Sequence, residues 1–141
     1  MAPKTAALIF RVNVFLSFLA GGLLWASGAI PGFDAPAQWA FDFLNWPVDG
    51  DPGEMTKLSK FMSAIGGGVL TALGVLNWIL VAPAIESGEK RILNAALASV
   101  LAWFVIDSTA SVLSGAAPNV FFNLVILALY AVPVLAAAPR D

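Results

Sequence analysis

The sequence contains no cysteine and no histidine. Without cysteine the chain has no disulfide bond and no thiolate, and without histidine it lacks the usual general base near neutral pH and a common ligand of zinc and haem. Phosphate-binding loops, dinucleotide-binding fingerprints and nucleophile elbows are missing as well. The sequence therefore predicts no metal site and no cofactor, and it argues against an enzyme.

Charged residues are also scarce. They make up 11% of the 141 residues, and hydrophobic residues make up 60%, whereas about a quarter of the residues in soluble domains are charged. The mean hydropathy is +0.86, and the apolar residues form long blocks, which indicates a bilayer as the surrounding solvent. The formal net charge of -2 is too small to indicate a nucleic-acid partner. We therefore expect an integral membrane protein.

Four apolar segments are long enough for membrane-spanning helices of about 17–25 residues. The predicted helices cover about residues 6–30, 61–84, 92–113 and 120–138. Helix-breaking residues end the first three: Pro31 with Gly32, then Pro83, then the stretch 114–119. The apolar runs are continuous rather than alternating, which argues against a strand barrel. The predicted fold is all-α, a four-helix membrane bundle that forms a single transmembrane domain over residues 1–141.

The first segment has a rival interpretation as a cleavable signal peptide. Lys4 and Arg11 are followed by an apolar run that ends in the small residues "ASGA" at 26–29, which resembles a signal peptide with its cleavage site. The apolar region is longer than such peptides require, and a glycine-rich pattern runs through it. These two features favour a retained helix.

The connection between the first two helices, residues 31–60, is long, acidic and aromatic. Within it Trp39, Phe43 and Trp46 recur at helical spacing, which predicts a short amphipathic helix over residues 35–44. These three side chains are expected to act as interfacial anchors at the level of the lipid headgroups, where tryptophan is favoured. A folded cap over the mouth of the bundle is the alternative, and the sequence leaves both open.

The distribution of lysine and arginine predicts the orientation of the helices. One side of the membrane carries Lys4, Arg11, Lys90, Arg91 and Arg140, and the other side carries Lys57 and Lys60. The positive-inside rule therefore places both termini in the cytoplasm and the loop 31–60 outside.

A weak internal repeat relates the first two predicted helices. The stretch "FLSFLAGGLLWASGAI" from Phe15 aligns with "FMSAIGGGVLTALGVL" from Phe61. Hydrophobicity cannot pull helices together in lipid, but small residues allow close approach of two backbones. We therefore predict an antiparallel helix contact through glycines, namely Gly21, Gly22 and Gly28 on one helix and Gly67, Gly68 and Gly74 on the other.

Polar residues near the cytoplasmic ends of the helices form a predicted inner polar layer. Asn13 and Asn77 both lie roughly 10 Å from that surface at a rise of 1.5 Å per residue. We expect the two side chains to hydrogen-bond to each other and Arg11 to extend toward the headgroups. Pro133 predicts a kink in the fourth helix.

A second polar site is predicted around the stretch "WFVIDSTASVLSG", which carries a carboxylate into the third helix. Its members are Asp107, Ser111 and Ser114 on one helix face, and Asn119 and Asn123 on a face of the fourth helix. Polar groups in hydrocarbon need internal partners, so we expect these side chains to meet, with Asn123 as the partner of Asp107. Ser27 and Ser63 lie at a comparable depth and are expected to converge on the same site.

No cationic side chain is expected at the depth of Asp107. Desolvation disfavours a charged carboxylate, so we expect Asp107 to be protonated, or wetted by water from an outward-opening cavity. An acid inside a membrane is a candidate for function, whereas a neutral acid bonded to Asn123 would be structural. Both interpretations stay open.

Three motifs carry a resemblance to a known group of proteins. They are "SGAIPG" at 27–32, "AIGGGVLTALGVL" at 64–76 and "DSTASVLSGAAPN" at 107–119. With these motifs the chain resembles small, mostly uncharacterised bacterial inner-membrane proteins of the DoxX-like group. The resemblance implies a four-helix fold in a bacterial inner membrane and implies no particular activity.

The sequence favours a non-enzymatic accessory or interaction subunit that binds lipid between its helices. The expected partners are membrane lipids, together with another membrane protein or a second copy of the chain, and no nucleic acid. The alternative is a small proton- or ion-coupled transporter with an outward-facing cavity centred on Asp107. An enzyme that acts on a lipid or a quinone is the third hypothesis.

Overall fold

The structure, a computed structural model, describes residues 1–137. This part of the chain contains helices and no strand: α1 (Pro3–Ala29), α2 (Ala35–Asn45), α3 (Lys57–Ser87), α4 (Lys90–Leu113) and α5 (Asn119–Ala137). The helices α1, α3, α4 and α5 are long and apolar enough to cross a membrane. Over residues 1–137 the prediction of an all-helical fold with four such helices is therefore confirmed. Ala138, the predicted end of the fourth helix, and the cation Arg140 lie outside the described residues.

Helix α3 starts earlier than its apolar block predicts, because a side chain caps it. The Oγ1 atom of Thr56 accepts a hydrogen bond from the main-chain N–H of Ser59 at 3.1 Å. Such a cap satisfies one of the free N–H groups in the first helical turn. The polar first turn from Lys57 therefore belongs to the helix, although its residues are not apolar.

Helix α3 also continues past Pro83, where the sequence predicts its end. A π-helical turn at Asn77–Val81 precedes this proline, which therefore falls in the first turn of the segment Ala82–Ser87. The N–H of Ala82 bonds to the Asn77 carbonyl five residues earlier, so the π-helical turn changes the hydrogen-bond register just before Pro83, which has no N–H to donate. The helix ends at Ser87 and is followed by Gly88, whose φ of 71° is the left-handed conformation that glycine adopts readily.

The buried apolar core lies at one end of the bundle, where α1 begins and α3 ends. We call this the core end, and the opposite end, where α2 lies, the loop end. Helix α1 is central, since it packs along α3 and also contacts α2 and α5, whereas α4 packs mainly against α5. The buried core residues are Ala6, Ala7, Phe10, Val14, Val81, Ala82, Ala84, Ile85, Leu93, Ala96, Val134 and Ala137.

Glycines bring α1 and α3 together, as predicted, but only some of the six take part. A Cβ atom at Gly21 would lie 2.8 Å from Thr71 Oγ1 and 2.9 Å from the Gly67 carbonyl, and one at Gly28 would collide with the main chain of Lys60. A Cβ atom at Gly67 would likewise collide with the main chain of α1, and the lack of a side chain at Gly74 leaves room for the ring of Phe18.

The prediction was wrong for Gly22 and Gly68. No atom lies within 4 Å of a Cβ built at either position. Each follows a contact glycine by one residue, which turns it by about 100° around the helix axis and away from the partner.

Helix α2 lies across the loop end as a packed cap. The main-chain N–H of Ala37, a fully buried residue, donates to Ser27 Oγ of α1 at 3.2 Å. The ring centroids of Phe43 and of Phe122 in α5 lie 4.4 Å apart. Trp39 is 79% exposed and Trp46 is 59% exposed. Helix α2 is thus docked on the bundle, as the cap alternative predicts, while Trp39 and Trp46 stay exposed; a position at the lipid headgroups stays a prediction.

Candidate functional site

A short connection brings the polar residues of α4 and α5 together. Gly115, with a φ of 87°, turns the chain after α4, and the N–H of Ala116 returns to the Ser111 carbonyl at 2.8 Å. This pattern is a common helix C-terminus, in which glycine takes the left-handed position. The hairpin that results sets Asn119 and Asn123 beside the last turns of α4.

Five side chains form what we call the Asp107 cluster: Asp107, Ser108, Ser111, Asn119 and Asn123. The Asn123 amide nitrogen donates to Asp107 Oδ2 at 2.8 Å and to Ser108 Oγ at 3.1 Å. The Asn119 amide nitrogen donates to the same carboxyl oxygen at 3.2 Å and to Ser111 Oγ at 2.9 Å. The predicted pairing of Asp107 with Asn123 is therefore confirmed.

The side chains that bond to the Asp107 carboxyl are neutral amides. Asn123 is 2% exposed, while Asp107 is half-buried. Within residues 1–137 the ion pairs join Arg11 to Glu86 and Lys60 to Asp34, and neither involves the cluster. Both amides donate to the same carboxyl oxygen, Oδ2, so the hydrogen bonds from α5 converge on one atom of Asp107.

Three serines differ from their predicted roles. Ser114 is exposed, and its hydroxyl donates to the Ser111 carbonyl at 3.2 Å rather than to the cluster. Ser27 holds α2, as described above, and Ser63 donates to the Leu24 carbonyl of α1 at 2.8 Å. Both therefore support the contact of α1 with its neighbours, and the prediction that they converge on Asp107 was wrong.

Ser108 was not predicted as a member of the cluster. Its membership could have been predicted from sequence positions, because facing residues of a tight helical hairpin lie the same number of residues before and after the turn. Asp107 and Asn123 each lie eight residues from Gly115, and Ser111 and Asn119 each lie four residues from it. Ser108 is adjacent to the first of these pairs and bonds to the same asparagine.

The inner polar layer is arranged differently from the prediction. The Asn13 amide donates to the Leu129 main-chain carbonyl of α5 at 2.8 Å, and the side-chain oxygen of Asn77 accepts a hydrogen bond from the Tyr130 hydroxyl. The predicted bond between Asn13 and Asn77 was therefore wrong. Pro133 lacks an N–H, so the carbonyl four residues earlier loses its usual donor, and Asn13 donates to it instead.

The other two inner contacts also connect helices. Arg11 pairs with Glu86 of α3 rather than standing free in the headgroups. The Tyr130 ring meets the Phe10 ring edge-on, with ring centroids 4.9 Å apart. Tyr130 therefore joins α5 to both α1 and α3, at the start of the π-helical turn.

The described residues offer no group of three or more acidic side chains that could hold a metal ion. Comparison of the chain with protein-family models, curated proteins and solved structures found no match.

Proposed function

We propose that this protein is a non-catalytic accessory or interaction subunit of a membrane, which binds lipid and docks to another membrane protein through its helices. One observation carries the proposal. The polar side chains at Asp107, Asn13 and Asn77 all bond to neighbouring helices. Such bonds hold helices together inside lipid. The Asp107 carboxyl, the only acid of the Asp107 cluster, is accordingly used to hold α4 against α5.

The outward surfaces support a docking role. In the most apolar window of each spanning helix, between 17% and 28% of the residues are buried inside the protein. Helix α4 has the lowest of these shares, 17%, and toward the loop end its Ile106 is 71% exposed and its Leu113 is 83% exposed. These surfaces suit lipid or the helix of a partner, because either covers apolar side chains without requiring polar groups.

The proposed location is a bacterial inner membrane, with the core end in the cytoplasm. The resemblance to DoxX-like proteins supports the membrane, and the basic residues support the orientation. Lys4, Lys90 and Arg91 all lie at the core end, where the positive-inside rule favours cations. At the loop end, Lys60 is paired with Asp34 at 2.7 Å.

Photo-crosslinking in living cells tests the proposed role. A photoreactive side chain at exposed Ile106 or Leu113 of α4 should form one discrete protein adduct. The same group at Val132, an exposed residue of α5, serves as the matched control for non-specific capture. Lipid adducts at every position, without a protein adduct at any of them, would contradict a docking role.

A second candidate function is a small proton- or ion-coupled carrier. The observation that favours it is the half-buried Asp107 carboxyl, which bonds to neutral amides in the described part of the chain. Purified protein in liposomes that contain a pH-sensitive dye would then conduct protons, and Asp107→Asn would abolish the flux. Equal flux in the wild type and the variant would reject the carrier.

A further inference from the structure

An apolar groove of about 330 Å³ lies on the outer surface between α1 and α3. Phe15 and Phe18 of α1 and Val75, Trp78 and Ile79 of α3 line it. All five side chains are apolar or aromatic, so the groove suits hydrocarbon and offers no anchor for a polar group other than the indole N–H.

The floor of the groove is held in place by packing. The rings of Phe18 and Trp78 lie with their centroids 6.4 Å apart. The Phe18 ring also lies over Gly74, where a Cβ atom would approach it to 3.0 Å. The absence of a side chain at Gly74 therefore lets Phe18 lie flat against α3, and the groove exists before any ligand arrives.

A pair of opposite charges lies at the core end of the same helix pair. Arg11 precedes Phe15 by four residues, which places both on one side of α1. The Arg11 guanidinium pairs with Glu86, one residue before the end of α3 at Ser87. The two side chains are 30% and 40% exposed, so each can bind a further group.

We propose that the groove and this ion pair together bind one zwitterionic phospholipid with a primary ammonium, of the phosphatidylethanolamine class. One acyl chain lies in the groove between Phe15 and Ile79. The phosphate accepts hydrogen bonds from the guanidinium N–H groups of Arg11 that Glu86 leaves free, and the ammonium donates to Glu86. This inference rests on the proposed membrane placement and identifies the lipid that the proposed function leaves unnamed.

Charge complementarity selects this headgroup. A guanidinium has five N–H donors, of which the bond to Glu86 uses one from Nη1. An anionic headgroup would be attracted by Arg11 but repelled by Glu86. The quaternary ammonium of phosphatidylcholine has no N–H to donate, so it gains only the charge attraction.

The size of the groove argues for a lipid chain rather than a protein helix. Its volume of about 330 Å³ lies at the lower limit of the ligand sites that bind small molecules. A helix with its side chains is about 10 Å across and would contact the rim of such a groove without filling it.

Native mass spectrometry of the purified full-length protein tests the inference. The protein in detergent is mixed with equal amounts of phosphatidylethanolamine, phosphatidylglycerol and phosphatidylcholine, and the bound fraction of each lipid is measured. Exposed ion pairs contribute little, so we expect phosphatidylethanolamine to be preferred about two- to fivefold over the other two lipids. Equal binding of the three lipids would overturn the inference.

Two variants separate the headgroup from the acyl chain. Glu86→Gln removes the partner of the ammonium and leaves Arg11 unbalanced, so the preference should change to anionic phosphatidylglycerol. Val75→Trp fills the groove and should lower the binding of all three lipids, whereas Val132→Trp on the exposed side of α5 should leave binding unchanged. An unchanged preference in Glu86→Gln, or wild-type binding by Val75→Trp, would overturn the proposed site.

Failure of this inference is distinguishable from failure of the proposed function. Lipid selectivity is measured on the isolated protein, whereas docking is measured by the adducts that form from α4 in cells. A protein adduct at Ile106 together with unselective lipid binding would overturn the phospholipid site and support the interaction subunit.

Discussion

Asn13 of α1 donates its side-chain amide to the main-chain carbonyl of Leu129 in α5, at 2.8 Å. Leu129 lies four residues before Pro133, which has no N–H, so this carbonyl lacks its usual i+4 donor. Inside lipid an unpaired main-chain group costs several kcal/mol. A residue of α1 thus supplies the hydrogen bond that a proline removes from α5.

This relationship predicts that Asn13 matters only while Pro133 is present. We expect Asn13→Ala to lower the free energy of unfolding by about 1–2 kcal/mol. In the Pro133→Ala background, the main-chain N–H of the introduced alanine restores the donor to Leu129, and the same change should cost less than about 0.5 kcal/mol. Unfolding of the wild type, both single variants and the double variant in mixed micelles measures this coupling, and additive losses would contradict it.

Asp107→Asn and Asp107→Ala separate the charge of the carboxyl from its hydrogen bonds. An asparagine keeps an acceptor oxygen for the amides of Asn119 and Asn123, so we expect its stability to lie within about 0.5 kcal/mol of the wild type. An alanine leaves both amides without that acceptor and should cost about 1–3 kcal/mol. The same unfolding experiment measures both variants. Equal destabilisation by the two changes would show that the charge itself holds the hairpin.

The sequence predicts the helices well, because continuous apolar runs of this length have few other structures in a membrane. It also predicts the pairing of Asp107 with Asn123, since a short connection forces α4 and α5 to lie antiparallel. The boundaries of α3 were harder to predict. Its first turn is polar, so the apolar pattern does not include the true start of the helix. A π-helical turn accommodates Pro83, and the hydropathy pattern carries no sign of this turn, so the proline is taken as the end.

The inner polar layer was mispredicted for a different reason. The equal depth of Asn13 and Asn77 predicts a bond between the two side chains, but a side-chain amide can also bond to a main-chain carbonyl. At that depth Pro133 leaves the Leu129 main-chain carbonyl without its usual donor. The position of the proline in the sequence therefore indicates which carbonyl can accept a bond from Asn13. The partner of Asn77, Tyr130, could not be predicted, because the rotation of α5 about its axis depends on the packing of the whole core.

The contact between α1 and α3 predicts unequal effects of two glycine substitutions. At Gly28 a methyl group would collide with the main chain of α3, and we expect Gly28→Ala to cost about 1–3 kcal/mol, as overpacking does. At Gly22 a methyl group meets no atom within 4 Å, so Gly22→Ala should leave stability unchanged or raise it slightly, because alanine favours the helix. Thermal unfolding in detergent compares the two, and similar losses would contradict the observed contact.

The absence of cysteine makes the proposed orientation directly testable. The wild type has no thiol, so a single cysteine introduced at Glu54 or at Glu89 reports its own side of the membrane. Both glutamates are exposed, the first in the loop before α3 and the second between α3 and α4. With both termini in the cytoplasm, a membrane-impermeant maleimide should label Glu54→Cys in intact cells and Glu89→Cys only after permeabilisation. The wild type controls for labelling without a thiol, and permeabilised cells control for the reactivity of each cysteine. The reverse pattern would invert the proposed topology, and labelling of both in intact cells would mean that α3 does not cross the membrane.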